Sequence, residues 1–224
     1  MNPKGRSRTI ELLQTKVPHR EQQYESSCGP ACLMMIFKYF DKNFVFTNDV
    51  ETDIWRESSL APLPPTSRYG LAYSALTRNL KVEILTNVKG IEYISKTPAR
   101  LTGGDQRSGF IELFMGMVQK QFDERKERAF ALGLDERKVR RISTSDVVDV
   151  LKRKGLPVML TSARFFDDED WAHWVVVTGY DQEGNMYIND PASSENKGRR
   201  VFSREKFEEI NGYYGDQVLV SIFK

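Results

Sequence analysis

A cysteine at the predicted start of a helix is the residue of this sequence best suited to nucleophilic chemistry. Cys28 is followed by Gly29 and Pro30, and the dense apolar run behind them predicts a buried helix with proline in its first turn. Unpaired amides and the helix dipole at such a position favour an anion, and the thiolate is the nucleophilic form of cysteine. Gly29 would leave room for a substrate beside the sulfur. The structural alternative is a small buried residue.

The second cysteine suits a different role. Cys32 lies one turn further along the same predicted helix, among apolar neighbours, so we interpret it as a core residue. A disulfide between Cys28 and Cys32 would need unfavourable geometry on a regular helix. The spacings typical of zinc ligands are missing as well. We therefore expect no disulfide, no metal and no organic cofactor.

A thiolate nucleophile needs a base that can also protonate the leaving group, and the sequence has two histidines. His173 begins a strongly apolar predicted strand, beside Trp171 and Trp174, which would be a rigid mount for an imidazole. Considered alone, it would better suit a structural histidine at a strand edge. His19 lies in the polar N-terminal arm, and we interpret it as a surface residue.

The third member of such a site accepts a hydrogen bond from the other imidazole nitrogen. Asp190 ends a second predicted strand, which a QEGN turn would place beside the His173 strand as a hairpin. Asn189 is a rival, because an amide fills this role in some papain-like enzymes. Neighbouring side chains on a strand point to opposite faces, so only one of the two faces His173. The pattern itself leaves the choice open.

Two segments of the chain resemble a known family. QQYESSCGPACLMMIFKYF and HWVVVTGYDQEGNMYINDP are similar to the papain-like cysteine peptidases that remove double-glycine leaders from bacteriocin precursors, peptidase family thirty-nine of the cysteine class. DIWRES, YGLAYSALTRNLKVEILTN and KFEEINGYYGDQVLVSIF extend the resemblance to a stand-alone, peptidase-like subgroup. The resemblance covers about three quarters of the chain. Its combined pattern is specific, although each part alone is weak.

The resemblance implies roles for individual residues. It implies Cys28 as the nucleophile, His173 as the general base and Asp190, rather than Asn189, as the orienting acid. Gln22, six residues before the cysteine, would form the oxyanion hole together with the Cys28 backbone amide. The implied activity is hydrolysis of a peptide or isopeptide bond in a peptide or protein substrate. An acyl transferase or ligase with the same triad, and a non-catalytic peptide-binding module, remain alternatives.

The elements that must position these residues are segregated along the chain. Helices dominate the N-terminal half and antiparallel strands the C-terminal half, which predicts an α+β fold. The resemblance implies a papain-like fold, with the nucleophile helix packed on a C-terminal antiparallel sheet. The predicted helices are SSCGPACLMMIFKYF, 48–57, 69–79, STSDVVDVLKRKG and SREKFEEI, and the predicted strands are LKVEILT, LPVMLTS, HWVVVTGYD, NMYIND and QVLVSIF.

We expect residues 1–20 to form a polar N-terminal arm and residues 21–224 a single peptidase domain with a helical insertion at about 90–141. Within that domain we expect loops at 61–67 and 88–108. The mixed charges of 119–141 are typical of a solvated helical face rather than an RNA-binding stripe.

The composition excludes several classes of protein. A net charge of only +2 marks neither a nucleic-acid nor a membrane partner. The basic start, MNPKGRSRTI, lacks the apolar stretch of a secretory signal. Together with the expected absence of disulfides, this predicts a cytoplasmic protein.

Overall fold

The computed structural model of the protein describes residues 16–61, 63–91, 108–166, 171–193 and 198–224, with side chains left out at 108–112. Helices and strands alternate irregularly along the chain. In order, they are α1 (Cys28–Phe40), α2 (Asn48–Ser58), β1 (Ser59–Leu60), β2 (Leu63–Thr66), α3 (Arg68–Leu76), β3 (Lys81–Thr86), α4 (Ser108–Ala131), β4 (Asp135–Lys138), α5 (Thr144–Lys152), β5 (Leu156–Ser162), β6 (Ala172–Tyr180), β7 (Met186–Asn189), β8 (Arg199–Phe202), α6 (Arg204–Ile210) and β9 (Val218–Phe223).

A seven-stranded sheet organises these elements in the order β4-β3-β9-β5-β6-β7-β8. Strands β3 and β4 are parallel, and all other neighbours in the sheet are antiparallel. Every residue of β5 and β9 is buried, as is every residue of β6 except its two ends. Because side chains alternate between the faces of a strand, both faces of the central strands are covered. The predicted α+β class is confirmed.

Helix α1 is the central helix and begins at Cys28. Residues 28–37 are all buried, as the continuous apolar run predicts. The helix packs against β5 and β6. Pro30 is tolerated in its first turn, where an amide hydrogen would have no partner within the helix. The helix ends at Phe40, and the amide of Asp41 donates to the Phe37 carbonyl.

The neighbouring helices start at side-chain caps that the sequence contains. Thr47 accepts from the Val50 amide at the start of α2, and Ser67 accepts from the Gly70 amide at the start of α3. Helices α2 and α3 approach so closely that a Cβ atom at Gly70 would overlap the Ser58 backbone. The predicted strands at β3, β5, β6, β7 and β9 are all present. No helix within the described ranges is long and apolar enough to cross a bilayer.

The predicted Pro-rich loop at 61–67 is wrong for residues 63–66, which form β2. This strand pairs with β1 in a separate two-stranded sheet, with Leu60 opposite Leu63. Leu63 and Thr66 are buried, and the two prolines between them are only partly so. Proline lacks a backbone donor, but a two-stranded ribbon consists of edges alone and tolerates it. The burial of Leu63 and Thr66 therefore favours a strand here, despite the two prolines between them.

Strand β4 falls within the charged stretch that was expected to be helical. Helix α4 ends at Ala131, and Gly133 adopts a left-handed φ of 92°, which is typical of a helix C-terminus. Residues 135–138 then add a parallel edge strand to β3. Four charged side chains suit such an edge, because they discourage pairing with a further chain. Strand β8, at the opposite edge of the sheet, was not predicted either. The expected loop at 88–108 lies largely outside the described residues.

The glycine between α2 and α3 offers a test of this packing. Gly70→Ala should lower the free energy of unfolding by about 1–3 kcal/mol, because the new methyl group must displace the Ser58 backbone. Gly116→Ala is the matched control, since Gly116 is a glycine of α4 with nothing within 4 Å of its would-be Cβ. That change should raise the free energy of unfolding by about 0.5–1 kcal/mol. Urea unfolding of both variants checks this, and equal effects would contradict the close helix contact.

Candidate active site

Cys28 is the first residue of α1, and only 7% of it is exposed. Ser27 occupies the N-cap position, but its side chain caps no amide among the described residues. Its hydroxyl donates instead to Glu51 Oε1, at 2.6 Å. The Cys28 and Gly29 amides lie at the positive end of the helix dipole and do not donate to the Ser27 side chain. Such amides are suited to bind negative charge on or beside the Cys28 sulfur.

Cys32 has a different environment from Cys28. It is fully buried, and its thiol donates to the Trp174 carbonyl at 3.3 Å. Burial, followed by the charges of Cys28 and Asp190, raises the pKa of Cys32 well above its ordinary value. The prediction that Cys32 belongs to the core is confirmed, and such a thiol is a poor nucleophile.

His173 and Asp190 form a buried hydrogen-bonded pair. His173 lies near the start of β6, and its Nε2 is 2.8 Å from Asp190 Oδ1. Asp190 follows directly after β7 and is fully buried. Cys28 lies close enough to the imidazole to help raise the pKa of His173. Because Nε2 is bound to the carboxylate, Nδ1 is the nitrogen left for the sulfur. The structure thus brings together Cys28, His173 and Asp190.

The register of the β6–β7 hairpin explains why Asp190, and not Asn189, contacts the imidazole. Asn189 is the partner of Val176 in this hairpin, so the two share one face of the sheet. Asp190, one position further, belongs to the other face, which His173 also occupies. The Asn189 amide donates instead to the Val17 carbonyl, at 3.3 Å.

The pKa shifts of His173 and Asp190 favour the charged form of both residues. Burial alone would lower the pKa of His173, but its hydrogen bonds with Asp190 and Cys28, and their charges, raise it to about 10. Burial would raise the pKa of Asp190, but the hydrogen bond and charge of His173 hold it below its ordinary value, with help from the Ala192 amide and the Arg200 charge. Imidazolium and carboxylate are the favoured forms.

Aromatic rings shield this charged pair. The Phe166 ring meets the His173 ring edge-on, with centroids 5.6 Å apart, and Phe202 packs against Phe166 at the same distance. The Phe166 ring therefore covers part of the imidazole, which is itself buried. Low local polarity strengthens the hydrogen bond with Asp190.

Further groups hold the Asp190 backbone. Its amide donates to the Gly198 carbonyl at 2.7 Å, and its carbonyl accepts from His19 Nε2 at 2.8 Å. Gly198 has a left-handed φ of 63°, and a Cβ there would overlap both His19 and the Asp190 carbonyl. The interpretation of His19 as a surface residue is therefore wrong. A lone histidine in a polar arm carries no sequence signal for a contact 171 positions away.

Gln22 lies in the segment of residues 16–27 that precedes α1, which is called the arm from here on. Its backbone amide donates to the Pro191 carbonyl at 2.8 Å, which brings the arm to the residue after Asp190. Its side-chain Nε2 donates to the Tyr24 and Glu25 carbonyls, at 2.9 and 3.0 Å. The Gln22 side chain is thus bound within the arm itself, and a role at an oxyanion requires one of these hydrogen bonds to be released.

Gly29 serves packing rather than access. A Cβ at this position would overlap Thr66 Oγ1 and lie 2.9 Å from Leu71 Cδ2. The side of Gly29 without a side chain therefore faces β2 and α3, and the expected room for a substrate is not found there. Within the described ranges, no group of three or more His, Cys, Asp or Glu side chains is placed to hold a metal ion.

A model of a known protein family matches most of the chain. The model of the Peptidase_C39 like family matches residues 17–211. The chain belongs to the Peptidase_C39 like family. The matched range contains Gln22, Cys28, His173 and Asp190. Among curated proteins, no match to the chain is found. Membership in the Peptidase_C39 like family supports a relationship to cysteine peptidases.

The two thiols should differ in reactivity. Iodoacetamide at about pH 6 should alkylate Cys28 in preference to Cys32, because burial and nearby negative charge keep Cys32 protonated. Peptide mapping by mass spectrometry gives the ratio. Cys32→Ala is the matched control and should leave the rate of labelling at Cys28 unchanged. Preferential labelling of Cys32 would contradict the assignment of Cys28 as the reactive thiol.

Proposed function

We propose that this protein is a papain-like cysteine peptidase that hydrolyses a peptide or isopeptide bond. The observation that carries the proposal is the buried cluster of Cys28, His173 and Asp190, with 2.8 Å between His173 Nε2 and Asp190 Oδ1. A cysteine at a helix start, a histidine beside it and a carboxylate behind the histidine are the components of a nucleophilic triad. The family match supports the same class of reaction.

Each residue has a defined part in the proposed mechanism. The Cys28 thiolate attacks the carbonyl carbon, and a bond forms between Sγ and that carbon. The His173 imidazolium donates its Nδ1 proton to the leaving amine as the C–N bond breaks. Neutral His173 then takes a proton from water, which attacks the thioester and releases the carboxylic acid with regenerated thiolate. Asp190 orients the ring and stabilises its charged form.

The oxyanion would be bound at the start of α1. The Cys28 amide lies at the positive end of the helix dipole, and Gln22 would supply a second donor. The resemblance to leader-processing peptidases makes a double-glycine peptide one reasonable test substrate. Both cysteines are free, which suits a reducing compartment, and a cytoplasmic location is part of the proposal.

The proposed activity is tested by comparing variants of Cys28 and Asp190 with a variant of Asn189, the neighbour of Asp190. A panel of peptides, including a double-glycine peptide, is incubated with the wild type and with Cys28→Ala, which should abolish cleavage. Asp190→Ala should lower kcat by about 10²-fold or more, because the imidazole loses its orienting partner. Asn189→Ala is the matched control and should affect stability more than turnover, since its side chain bonds the Val17 carbonyl.

The outcomes separate the alternatives. Cleavage that survives Cys28→Ala, or comparable losses at Asp190 and Asn189, would contradict the proposed mechanism. Products joined to an added amine would indicate an acyl transferase. Tight peptide binding without any cleavage would indicate a binding module.

The oxyanion role of Gln22 has its own test. Gln22→Ala should lower kcat by about 10²–10³, the scale of one lost donor, with little change in KM. Alkylation of Cys28 should continue at the wild-type rate, because that reaction builds no oxyanion. Gln23→Ala is the control, since the Gln23 side chain is exposed and its backbone amide is retained. Near-wild-type turnover of Gln22→Ala would remove Gln22 from the site.

A further inference from the structure

A second buried carboxylate lies close to the candidate triad without belonging to it. Glu51, on α2, is fully buried. Its Oε1 accepts from the Gln23 amide and from Ser27 Oγ, both at 2.6 Å. Its Oε2 accepts from Arg20 Nη2 at 3.1 Å and from Arg20 Nε at 3.3 Å. A buried carboxylate is tolerated only when it is paired and hydrogen-bonded, and all of these partners come from the arm before Cys28.

The residues that bond Glu51 lie next to the residues that would bind the oxyanion. Arg20 and Gln23 lie on either side of Gln22, and Ser27 immediately precedes Cys28. Short charge-assisted hydrogen bonds are among the stronger ones, so Glu51 restrains the arm at both ends. The position of Gln22 and the direction of the Cys28 amide both depend on that restraint.

Glu51 also changes how α1 begins. A serine at the N-cap normally accepts a hydrogen bond from a first-turn amide. Here the Ser27 hydroxyl donates to Glu51 and accepts from the Tyr24 amide at 3.1 Å, and it caps nothing among the described residues of α1. A locally unfavourable choice of this kind is expected where function requires it. It leaves the Gly29 amide, the second of the helix, without a serine cap, and Pro30 at the third position has no amide hydrogen.

We propose that Glu51 is a positioning residue for the oxyanion hole. Through Arg20 and Gln23 it holds the chain on both sides of Gln22, and through Ser27 it holds the residue before Cys28. The Gln22 side chain can then reach an oxyanion at Cys28 once it releases one of its carbonyl partners in the arm. The inference rests on the proposed peptidase function and adds a residue whose side-chain hydrogen bonds, among the described residues, all come from the arm before Cys28.

A double-mutant cycle tests the connection. The value of kcat is measured on a cleaved peptide for the wild type, Gln22→Ala, Glu51→Ala and the double variant. Glu51→Ala should lower kcat by about 10–10²-fold with little change in KM, as expected for loss of a transition-state interaction. Because Glu51 acts partly through Gln22, the loss of kcat in the double variant should be clearly smaller than the product of the two single losses. Fully multiplicative losses would overturn the inference, as would wild-type kcat in Glu51→Ala.

Two further variants separate positioning from general stability. Glu51→Gln keeps an oxygen that can accept from Gln23 and Ser27, so it should retain more of the wild-type kcat than Glu51→Ala. Glu57→Ala is the matched control on the same helix, because Glu57 is paired with Arg78 at 2.8 Å and is absent from the arm network. It should lower the melting temperature and leave kcat within about twofold of wild type. Equal loss of kcat in Glu57→Ala and Glu51→Ala would overturn a positioning role.

The same variants test the role of Glu51 separately from the proposed peptidase function. If Glu51→Ala does not fold, Ser27→Ala replaces it in the cycle, since it removes the hydroxyl that joins Glu51 to the start of α1. Wild-type protein without Cys28-dependent cleavage would overturn the proposed function and the inference together. Cleavage that depends on Cys28 but shows independent effects of Gln22 and Glu51, or of Gln22 and Ser27, would overturn the inference alone.

Discussion

The hydrogen bond between the His173 imidazole and the Asp190 carboxylate places two charged groups inside the protein, and much of the neighbouring structure compensates for that burial. An isolated buried carboxylate is strongly unfavourable, so it must be paired and hydrogen-bonded. Asp190 Oδ1 accepts from His173 and from the Ala192 amide, and Arg200 Nε lies 4.0 Å from Oδ2. With both partners charged, the imidazolium holds a proton that it can deliver to a leaving group, provided that the thiolate lies beside it.

The hairpin that forms this pair has little freedom to form another. A shift of one residue in the β6–β7 register would turn Asp190 away from the imidazole and bring Asn189 towards it. The Asn189 amide is instead held by the Val17 carbonyl, and Asn189 is fully buried. The buried hydrogen bonds of Asp190 and Asn189 therefore favour this register, and the register selects the acid.

The sequence predicted the elements that follow from strong local patterns and missed those that depend on distant pairing. The apolar run of α1, the hairpin of β6 and β7 and the core position of Cys32 were all evident from local sequence. Strands β2, β4 and β8 are short, and their sequences carry prolines or charges, so only their strand partners explain them. His19 and Glu51 were missed for a related reason. Their partners are backbone groups, a hydroxyl and an arginine brought together by the fold, and no spacing in the sequence indicates such contacts.

The arm before Cys28 links the two buried carboxylates. His19 and Gln22 bond the backbone around Asp190, while Arg20 and Gln23 bond Glu51. Neighbouring residues of an extended segment point in opposite directions, so one strand of chain can bind both sides at once. The family match begins at residue 17 and so includes all four of these residues. Because the same few residues contact both carboxylates, the segment that leads into α1 is held from two sides. The geometry around Cys28 is therefore determined jointly by the sheet that carries Asp190 and the helix that carries Glu51.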